Sequence, residues 1–195
     1  MIKSNTCIAV IKNKKGKLMM AGDRRQSWGM SQAQRCPQPK VIKRNGFLLG
    51  GTGHGGICNL ITMRMPVKDQ ANWCTKTMSI DDYMYEVLMK DIKHILKDDF
   101  KKDGGIIPGR AMIVVGHSGH LYEIDINPDK TQSSIVLDTL STPYATGCGG
   151  QLAWGSLLTT KKLKMSDKQR LITALHVAAA VSPGCDAEVD IIEED

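Results

Sequence analysis

The sequence predicts an α+β domain in which helices pack over sheets. Strand-like segments occur in groups, helical segments occur in two pairs, and the order along the 195 residues is strands, two helices, strands, two helices and a last strand. Because each sheet must bury its apolar face under helices, this order implies a layered domain. The length suits a single domain with a sizeable core.

The first 50 residues predict a β-meander. Two apolar runs flank turn residues at 13–16, which is typical of a hairpin. Two more apolar runs, at 41–42 and 47–49, flank Asn45 and Gly46. Asn-Gly between apolar runs is the strongest short-range hairpin signal. We therefore expect two hairpins that follow one another in one meander.

Two pairs of helices are predicted after the meander. One helix begins at Ser79, where Asp82 takes the capping-box position and apolar residues recur at spacings of three and four. Another begins at the capping box formed by Ser166 and Gln169. The other two helices span roughly residues 55–65 and 151–160.

The remaining strands are predicted between and after the helix pairs. Apolar residues at 112–115 and 121–126 flank a turn at 117–119 and indicate a hairpin. A glycine turn at 147–150 precedes the second helix pair, and residues 188–192 indicate a short last strand. No internal repeat or linker is visible, so one domain is expected.

Composition argues against nucleic-acid and membrane partners. The net charge is +6, but the lysines are scattered and aromatic residues make up only 5% of the chain. No apolar run approaches the 18 residues that a membrane-spanning helix needs. The six cysteines are dispersed without a CxxC pair, and residues 1–5 are short and polar. We therefore expect reduced thiols and a cytoplasmic protein.

The first 53 residues contain the chemical groups of a hydrolase whose nucleophile and base share one residue. Thr6 supplies a hydroxyl, Asp23 a carboxylate, Lys40 an amine and residues 50–53 a glycine-rich backbone. A threonine hydroxyl needs an adjacent base before it can attack an amide. A free α-amine, with a pKa of about 7.7–8.0, can take that proton near neutral pH.

This order and these residues resemble the proteasome β-subunit family, including the bacterial HslV peptidase, within the N-terminal-nucleophile hydrolases. The resemblance covers most of residues 6–192 and is strongest over 18–53. Residues 21–29 are similar to the family's Asp-x-Arg-x-Thr/Ser-x-Gly segment, and Lys40 begins a strand and hairpin that match without a gap. Residues 147–150 lie where the family has Gly-Ser-Gly. The fold that this resemblance implies is a four-layer αββα sandwich.

The resemblance also implies catalytic roles. Thr6 would be the nucleophile and, through its own amine, the base. Lys40 would be the buried cation that lowers the pKa of the attacking group, since a nearby positive charge disfavours a protonated amine. Asp23 would keep Lys40 charged and oriented. Backbone N–H groups around Gly53 would form the oxyanion hole, and Cys148 occupies the position of a supporting serine.

Substrate and cation positions follow from the same resemblance. Ser27 would present its backbone to an extended peptide, and Thr52 would line the pocket for the side chain before the scissile bond. In HslV-type members, backbone carbonyls at the end of the last helix bind a cation, and His176, Ala179 and Ser182 hold the matching positions. We expect no required cofactor beyond such a structural monovalent or divalent cation.

The chain departs from the family pattern at several positions. Asn5 precedes the threonine, where members with a propeptide usually have glycine. Cys148 replaces the supporting serine, and Ala179 replaces an aspartate that HslV-type members also lack. The first hairpin is one residue longer than in many relatives, which leaves Cys7 open as an alternative nucleophile.

The resemblance implies a threonine peptidase assembled as a homo-oligomeric ring that degrades unfolded polypeptide with a separate ATPase. This chain has no Walker motif, so ATP would be used by the partner. Residues 1–5 would be a short extension or propeptide, and 6–195 a single domain. A catalytically silent subunit that acts as a scaffold or assembly component is the main alternative. A small-amide hydrolase of the same superfamily would need a closed pocket.

Overall fold

The computed structural model describes residues 7–28, 32–65, 67–68, 78–101, 109–127 and 134–195. Eleven strands are seen in this part of the chain: β1 (Cys7–Lys12), β2 (Leu18–Asp23), β3 (Arg25–Trp28), β4 (Gln32–Arg35), β5 (Val41–Arg44), β6 (Phe47–Gly53), β7 (Ala111–His117), β8 (His120–Asn127), β9 (Ser134–Leu140), β10 (Tyr144–Gly147) and β11 (Val189–Glu193).

The helices form two pairs in the chain order that the sequence predicts. Helix α1 spans Gly55–Arg64, and α2 (Ile80–Asp82) passes through a π-helical segment, Tyr83–Leu88, into α3 (Met89–Lys101). The second pair consists of α4 (Gly150–Thr160) and α5 (Asp167–Val181). Among the described residues, no helix combines the length and apolar character needed to cross a membrane.

Two antiparallel sheets carry most of the strands. The first has the order β10-β1-β2-β11, with Ile8 opposite both Gly22 of β2 and Thr146 of β10. The second has the order β5-β6-β7-β8-β9. Strands β3 and β4 pair with each other as a separate two-stranded ribbon.

Three clusters of buried side chains show how the layers stack. One cluster lies between α1–α3 and the five-stranded sheet. Another lies between the four-stranded sheet and α4–α5. The third joins the two sheets, where Ile8 and Val10 of β1 meet Val41 of β5 and Leu48 of β6. The layer order is therefore helices, sheet, sheet, helices, because each sheet is apolar on both faces.

Several local predictions are confirmed. Ser79 and Ser166 each accept a hydrogen bond from the N–H three residues on, and the backbone N–H of each serine donates in return to the side chain of Asp82 or Gln169, which completes a capping box. Helix α5 runs 15 residues from Asp167, and α1 begins after the glycine-rich strand. The last strand is Val189–Glu193, one residue later than residues 188–192.

Three features differ from the sequence prediction. The first 50 residues do not form one meander, because the hairpins β1–β2 and β5–β6 lie in different sheets that pack face to face. The ribbon β3–β4 was not predicted, since its residues are mostly polar and lack apolar alternation. Strands β9 and β10 were also missed, and they complete the edges of the two sheets.

Candidate active site

A buried lysine–aspartate pair lies where β2 ends and β5 is about to begin. Lys40 Nζ donates to Asp23 Oδ1 at 3.1 Å, and the Asp23 and Lys40 side chains are 0% and 11% exposed. Lys40 Nζ also donates to the carbonyl of Arg25. The stacked sheets bring these groups together, because β2 and β5 belong to different sheets. This pair is the centre of the candidate site.

Backbone amides fix the Asp23 carboxylate from two directions. The Cys7 N–H donates to Oδ1 and the Asp186 N–H donates to Oδ2, each at 3.0 Å. Burial raises the pKa of Asp23 above its ordinary value, and the charge of Lys40 and the backbone donors partly offset that effect. Because Cys7 N–H contacts the carboxylate, the start of β1 lies beside the lysine–aspartate pair.

The backbone N–H of Gly53 points toward the side of β6 on which β5 lies. His54 N–H donates to Arg110 O at 2.9 Å, and Gly53 pairs opposite Ala111. In an antiparallel pair, hydrogen-bonded and non-hydrogen-bonded positions alternate. The Gly53–Ala111 pair is therefore of the non-hydrogen-bonded kind, and the Gly53 N–H is directed away from β7. Lys40 precedes β5 on that same side.

Only glycine fits at position 53. Its φ is +97°, and a Cβ there would lie 2.4 Å from the carbonyl oxygen of Arg110. Helix α1 begins two residues later at Gly55, with the His54 side chain accepting from Ile57 N–H at its N-terminus. Burial lowers the pKa of His54, which suits the neutral imidazole that this acceptor role requires. The helix N-terminus adds a partial positive charge beside Gly53.

A pocket of about 40 Å³ opens next to Lys40. One wall is a face of α1, whose lining residues recur at spacings of three and four: Gly55, Cys58, Asn59 and Thr62. The rest of the described lining is Gln26, Cys36, Pro39 and Gly51. Burial raises the pKa of Cys58 to about 12, so this thiol is neutral. Among the described lining residues, Lys40 carries the formal charge and the others are uncharged.

Ser27 and Thr52, the two residues predicted to contact substrate, lie in different surroundings. Ser27 is in β3, which pairs with β4 alone among the described strands. The Thr52 side chain is 1% exposed and is not among the described residues that line the pocket. A Cβ on the preceding residue, Gly51, would meet Cys58 of the pocket wall. Because side chains alternate along a strand, Thr52 faces the other sheet instead.

The remaining predicted catalytic residues lie near the start of β1 and in the turn before α4. Thr6 lies outside the described residues, as do residues 1–5. Cys7 is buried, and its side chain belongs to the cluster under α4 and α5. Cys148 is exposed in the turn before α4, and its Sγ lies 3.4 Å from Cys185 Sγ. Cys148 therefore contacts a second thiol, which the sequence analysis did not anticipate.

The three predicted cation ligands follow one another along the end of α5. His176 Nε2 is 3.0 Å from Ala187 O, and Ser182 O accepts from Cys185 N–H at 3.1 Å. The Ala179 carbonyl has no helical donor four residues on, because residue 183 is proline. A carbonyl with a free lone pair at a helix end fits a cation ligand. The cation site itself stays a prediction.

Other contributors to the site were not predicted from sequence. Asp186 acts through its backbone N–H, and no side-chain pattern identifies such a donor 163 residues from Asp23. The pocket wall could have been found, because Gly55, Asn59 and Thr62 recur at i, i+4 and i+7 on a predicted helix.

Comparison with known proteins finds the same fold in solved structures. The chain is similar to BPH of Thiobacillus denitrificans in complex with epoxomicin, with a TM-score of 0.70 and 13% identity over 97% of this chain and 98% of that one. It is similar to HslV of Trypanosoma brucei, with a TM-score of 0.64 and 14% identity over 97% and 99%. For Anbu, an ancestral beta-subunit from Yersinia bercovieri, the TM-score is 0.58 at 13% identity over 97% and 81%. No family model and no curated protein matches the chain.

Proposed function

We propose that this chain, which has the fold of HslV, BPH and Anbu, is a threonine peptidase with its nucleophile at Thr6. The observation that carries the proposal is the hydrogen bond from Cys7 N–H to Asp23 Oδ1, within the buried pair of Asp23 and Lys40. This hydrogen bond connects the residue that follows Thr6 to the buried pair of Asp23 and Lys40.

Strand alternation favours Thr6 over Cys7. Cys7 faces α4 and α5, whereas Ile8 faces the other sheet and contacts the cluster that includes Val41. Side chains of an extended chain alternate between faces, so the residue before Cys7 would share the orientation of Ile8. That is the face on which Lys40 precedes β5. Cys7 as nucleophile would require its side chain to leave the helix-facing core.

The proposed reaction uses each group in a defined step. The Thr6 amine accepts the hydroxyl proton as Oγ1 attacks a peptide carbonyl, and the charge of Lys40 favours the unprotonated amine. The Gly53 N–H donates to the oxyanion of the tetrahedral intermediate, where one such donor is typically worth about 2.7–4 kcal/mol. The amine proton passes to the leaving nitrogen, and water then hydrolyses the ester by the same route.

The peptide is proposed to bind as an added strand. Strand β3 pairs with β4 on one side, so its other edge is open to an extended peptide within the described structure. Gln26 of β3 also lines the pocket beside Lys40. The uncharged lining residues favour small or neutral side chains before the scissile bond.

We propose a homo-oligomeric ring with a separate ATPase. Four apolar side chains are exposed on α4 and α5 at i, i+4 spacing: Trp154, Leu158, Val177 and Val181. Such faces are typical of surfaces that a partner covers. Light scattering at micromolar concentration should show a multimer of at least six chains. A stable 21.4 kDa monomer would contradict the ring and favour the small-amide hydrolase.

A structural cation is proposed at the end of α5, held by the carbonyls of His176, Ala179 and Ser182. It would order the segment that leads to Asp186, whose N–H contacts Asp23. The thermal midpoint should then fall when sodium, potassium and magnesium salts are replaced by choline chloride at equal ionic strength. An unchanged midpoint would contradict the site.

The decisive experiment reads the N-terminus and the activity together. Thr6 can act only with a free amine, so active preparations should begin at Thr6 by intact-mass spectrometry. Thr6→Ala should abolish cleavage of fluorogenic peptides, Thr6→Ser should retain part of it, and Cys7→Ala should keep the Thr6 terminus. If removal is autocatalytic, Thr6→Ala also keeps residues 1–5. A terminus at Cys7 in active protein would move the nucleophile there.

A silent scaffold subunit is the second candidate. It is favoured by Asn5, which makes self-cleavage harder than glycine does, and by Cys148, whose Sγ contacts Cys185 where a supporting hydroxyl is expected. A chain that assembles, stays full length and shows no turnover would support this function over the peptidase.

A further inference from the structure

Three cysteines from distant parts of the sequence meet beside the candidate site. Cys148 Sγ and Cys185 Sγ are 3.4 Å apart, and Cys7 contacts Cys185 from β1. The three thiols are free of disulfides in the structure. Cys148 is exposed, whereas Cys185 is only 4% exposed. One thiol of the close pair is thus open to solvent and its neighbour is enclosed.

The backbone around this pair is closely packed. A Cβ at Gly149 would lie 2.6 Å from Cys185 Sγ and 2.7 Å from the Cβ of Ala178. The absence of a side chain at Gly149 therefore allows the turn before α4 to sit directly on Cys185. A disulfide has an S–S length of about 2.05 Å, so the two sulfurs would need to approach by roughly 1.4 Å.

Each cysteine of the pair is adjacent in sequence to a residue that is connected to Asp23 through backbone hydrogen bonding or strand pairing. Cys185 precedes Asp186, whose N–H donates to Asp23 Oδ2. Cys148 follows Gly147, which pairs with Cys7, and the Cys7 N–H donates to Asp23 Oδ1. Each sulfur is therefore connected through one neighbouring residue to an amide that contacts the carboxylate.

We infer that Cys148 and Cys185 form a reversible disulfide under peroxide, and that this bond disturbs the amide donors of Asp23 and switches the site off. The inference rests on the proposed function for its effect on activity. The bond itself and the change at Asp23 can be measured whether or not the chain is a peptidase.

The oxidation is balanced with one peroxide per pair. The Cys148 thiolate attacks the O–O bond of hydrogen peroxide, gives a sulfenic acid and releases hydroxide, which takes up a proton as water. Cys185 Sγ then attacks Cys148 Sγ, the S–O bond breaks, and a second hydroxide leaves and is protonated. Two thiols and one hydrogen peroxide thus become one disulfide and two waters.

The surroundings favour the protonated form of both thiols. The hydrogen bond with Cys185, together with burial and the nearby Asp23 carboxylate, raises the pKa of Cys148. Cys148 lowers the pKa of Cys185, but contact with Cys7 and burial outweigh it and raise that pKa to about 12. Because the thiolate is the reactive form, oxidation should be slow at neutral pH and faster at alkaline pH.

Trypsin mapping identifies the bond without ambiguity. Cys148 falls in the tryptic peptide 131–161 and Cys185 in 171–195, and each peptide contains a single cysteine. After hydrogen peroxide treatment at pH 8, the intact mass should fall by about two daltons, and these two peptides should be joined. Dithiothreitol should separate them. A link from 171–195 to the peptide that contains Cys7, or a gain of oxygen atoms at Cys148 alone, would overturn the inference.

Two functional readouts complete the test. Amide hydrogen exchange at Cys7 and Asp186 should become faster in the oxidised protein, whatever its activity, and unchanged exchange would contradict the switch. Peptide cleavage should fall at least tenfold and recover with dithiothreitol. Cleavage that is absent before oxidation counts against the proposed function, whereas cleavage that persists after the bond has formed counts against the switch.

Cysteine variants separate the pair from general oxidation. In Cys185→Ser, peroxide should no longer lower activity, so that the ratio of activity before and after treatment is one. If Cys185→Ser folds poorly, Cys148→Ser serves as the replacement variant, with the same expected ratio. Cys74→Ser keeps both members of the pair and is the matched control, so it should still form the bond. A Cys185→Ser variant that loses activity in peroxide as the parent does would contradict the assignment.

Discussion

The two ends of the stacked sheets carry the same kind of lysine–carboxylate contact in opposite surroundings. At the candidate site, Asp23 is fully buried, Lys40 is 11% exposed, and three backbone amides also donate to the carboxylate. At the other end, where the hairpin turns lie, Lys43 meets Asp195, and these side chains are 29% and 91% exposed. Buried pairs need fixed hydrogen-bond partners, whereas exposed pairs contribute little. The comparison shows that the fold holds Lys40 in a fixed position, whereas Lys43 lies at an exposed surface.

Replacing the two lysines should give the largest contrast. Lys40→Ala leaves the Asp23 carboxylate buried without its cation, which typically costs about 3–5 kcal/mol, and it removes the charge that tunes the amine. We expect peptide cleavage to be lost. Lys43→Ala should keep cleavage and lose much less stability. Urea unfolding midpoints and turnover of fluorogenic peptides measure both effects.

Two results would contradict the predictions for Lys40 and Lys43. Lys40→Ala that turns over peptide at the parent rate would remove Lys40 from the proposed mechanism. A fall in the unfolding midpoint that is equal in Lys40→Ala and Lys43→Ala would show that burial does not distinguish the two pairs.

Two glycines with left-handed backbone give the next contrast. Gly53 has φ +97° and Gly16 has φ +82°, but a Cβ at Gly53 would lie 2.4 Å from Arg110 O, whereas at Gly16 the nearest atom is 3.9 Å away. Gly53→Ala should lower turnover roughly 10²–10³-fold by displacing the oxyanion donor. Gly16→Ala should cost about 1–2 kcal/mol of backbone strain and leave turnover unchanged.

Measurement of kcat and of the unfolding midpoint separates these effects. Circular dichroism establishes that Gly53→Ala still folds before its turnover is compared. A folded Gly53→Ala variant with the parent kcat would remove the Gly53 N–H from the oxyanion hole.

The sequence predicts the candidate-site end of the stacked sheets better than it predicts the end that carries the hairpin turns. Asp23, Lys40 and Gly53 can be identified because they fall in one short region whose residue order resembles a known family. The contact between Asp23 and Lys40 is also implied by that resemblance, whereas the stacking of two sheets that produces it was not predicted from the apolar pattern, which indicated one meander. Local signals such as the capping boxes at Ser79 and Ser166 are confirmed because they depend on neighbouring residues alone.

Contacts that join distant residues could not be predicted in the same way. The contact of Cys148 with Cys185 depends on how the turn before α4 packs on the loop after α5. The position of Thr52 depends on which face of β6 is turned to α1, and a shift of one residue changes the face. The opposite turn end contains Glu194, which accepts from Leu18 N–H and Gly119 N–H, and this link also spans the chain.

The smallest expected effect is the pH dependence of the exposed pair. The hydrogen bond and charge of Lys43 lower the pKa of Asp195 below its ordinary value of 3.8. A lowered folded-state pKa means that the pair stabilises the protein above pH 3.8 and that this stabilisation is lost as pH falls through the folded-state pKa. Asp23 has the opposite linkage, because its raised pKa makes its contribution largest in acid and lost as pH rises.

For the Lys43–Asp195 pair, the difference in urea midpoint between the parent and Lys43→Ala should be small at pH 6 and should vanish in strong acid. Added salt should reduce it at pH 6, because exposed charges are screened. A difference that grows as pH falls would show that Lys43 stabilises the turn end by packing rather than through the Asp195 carboxylate.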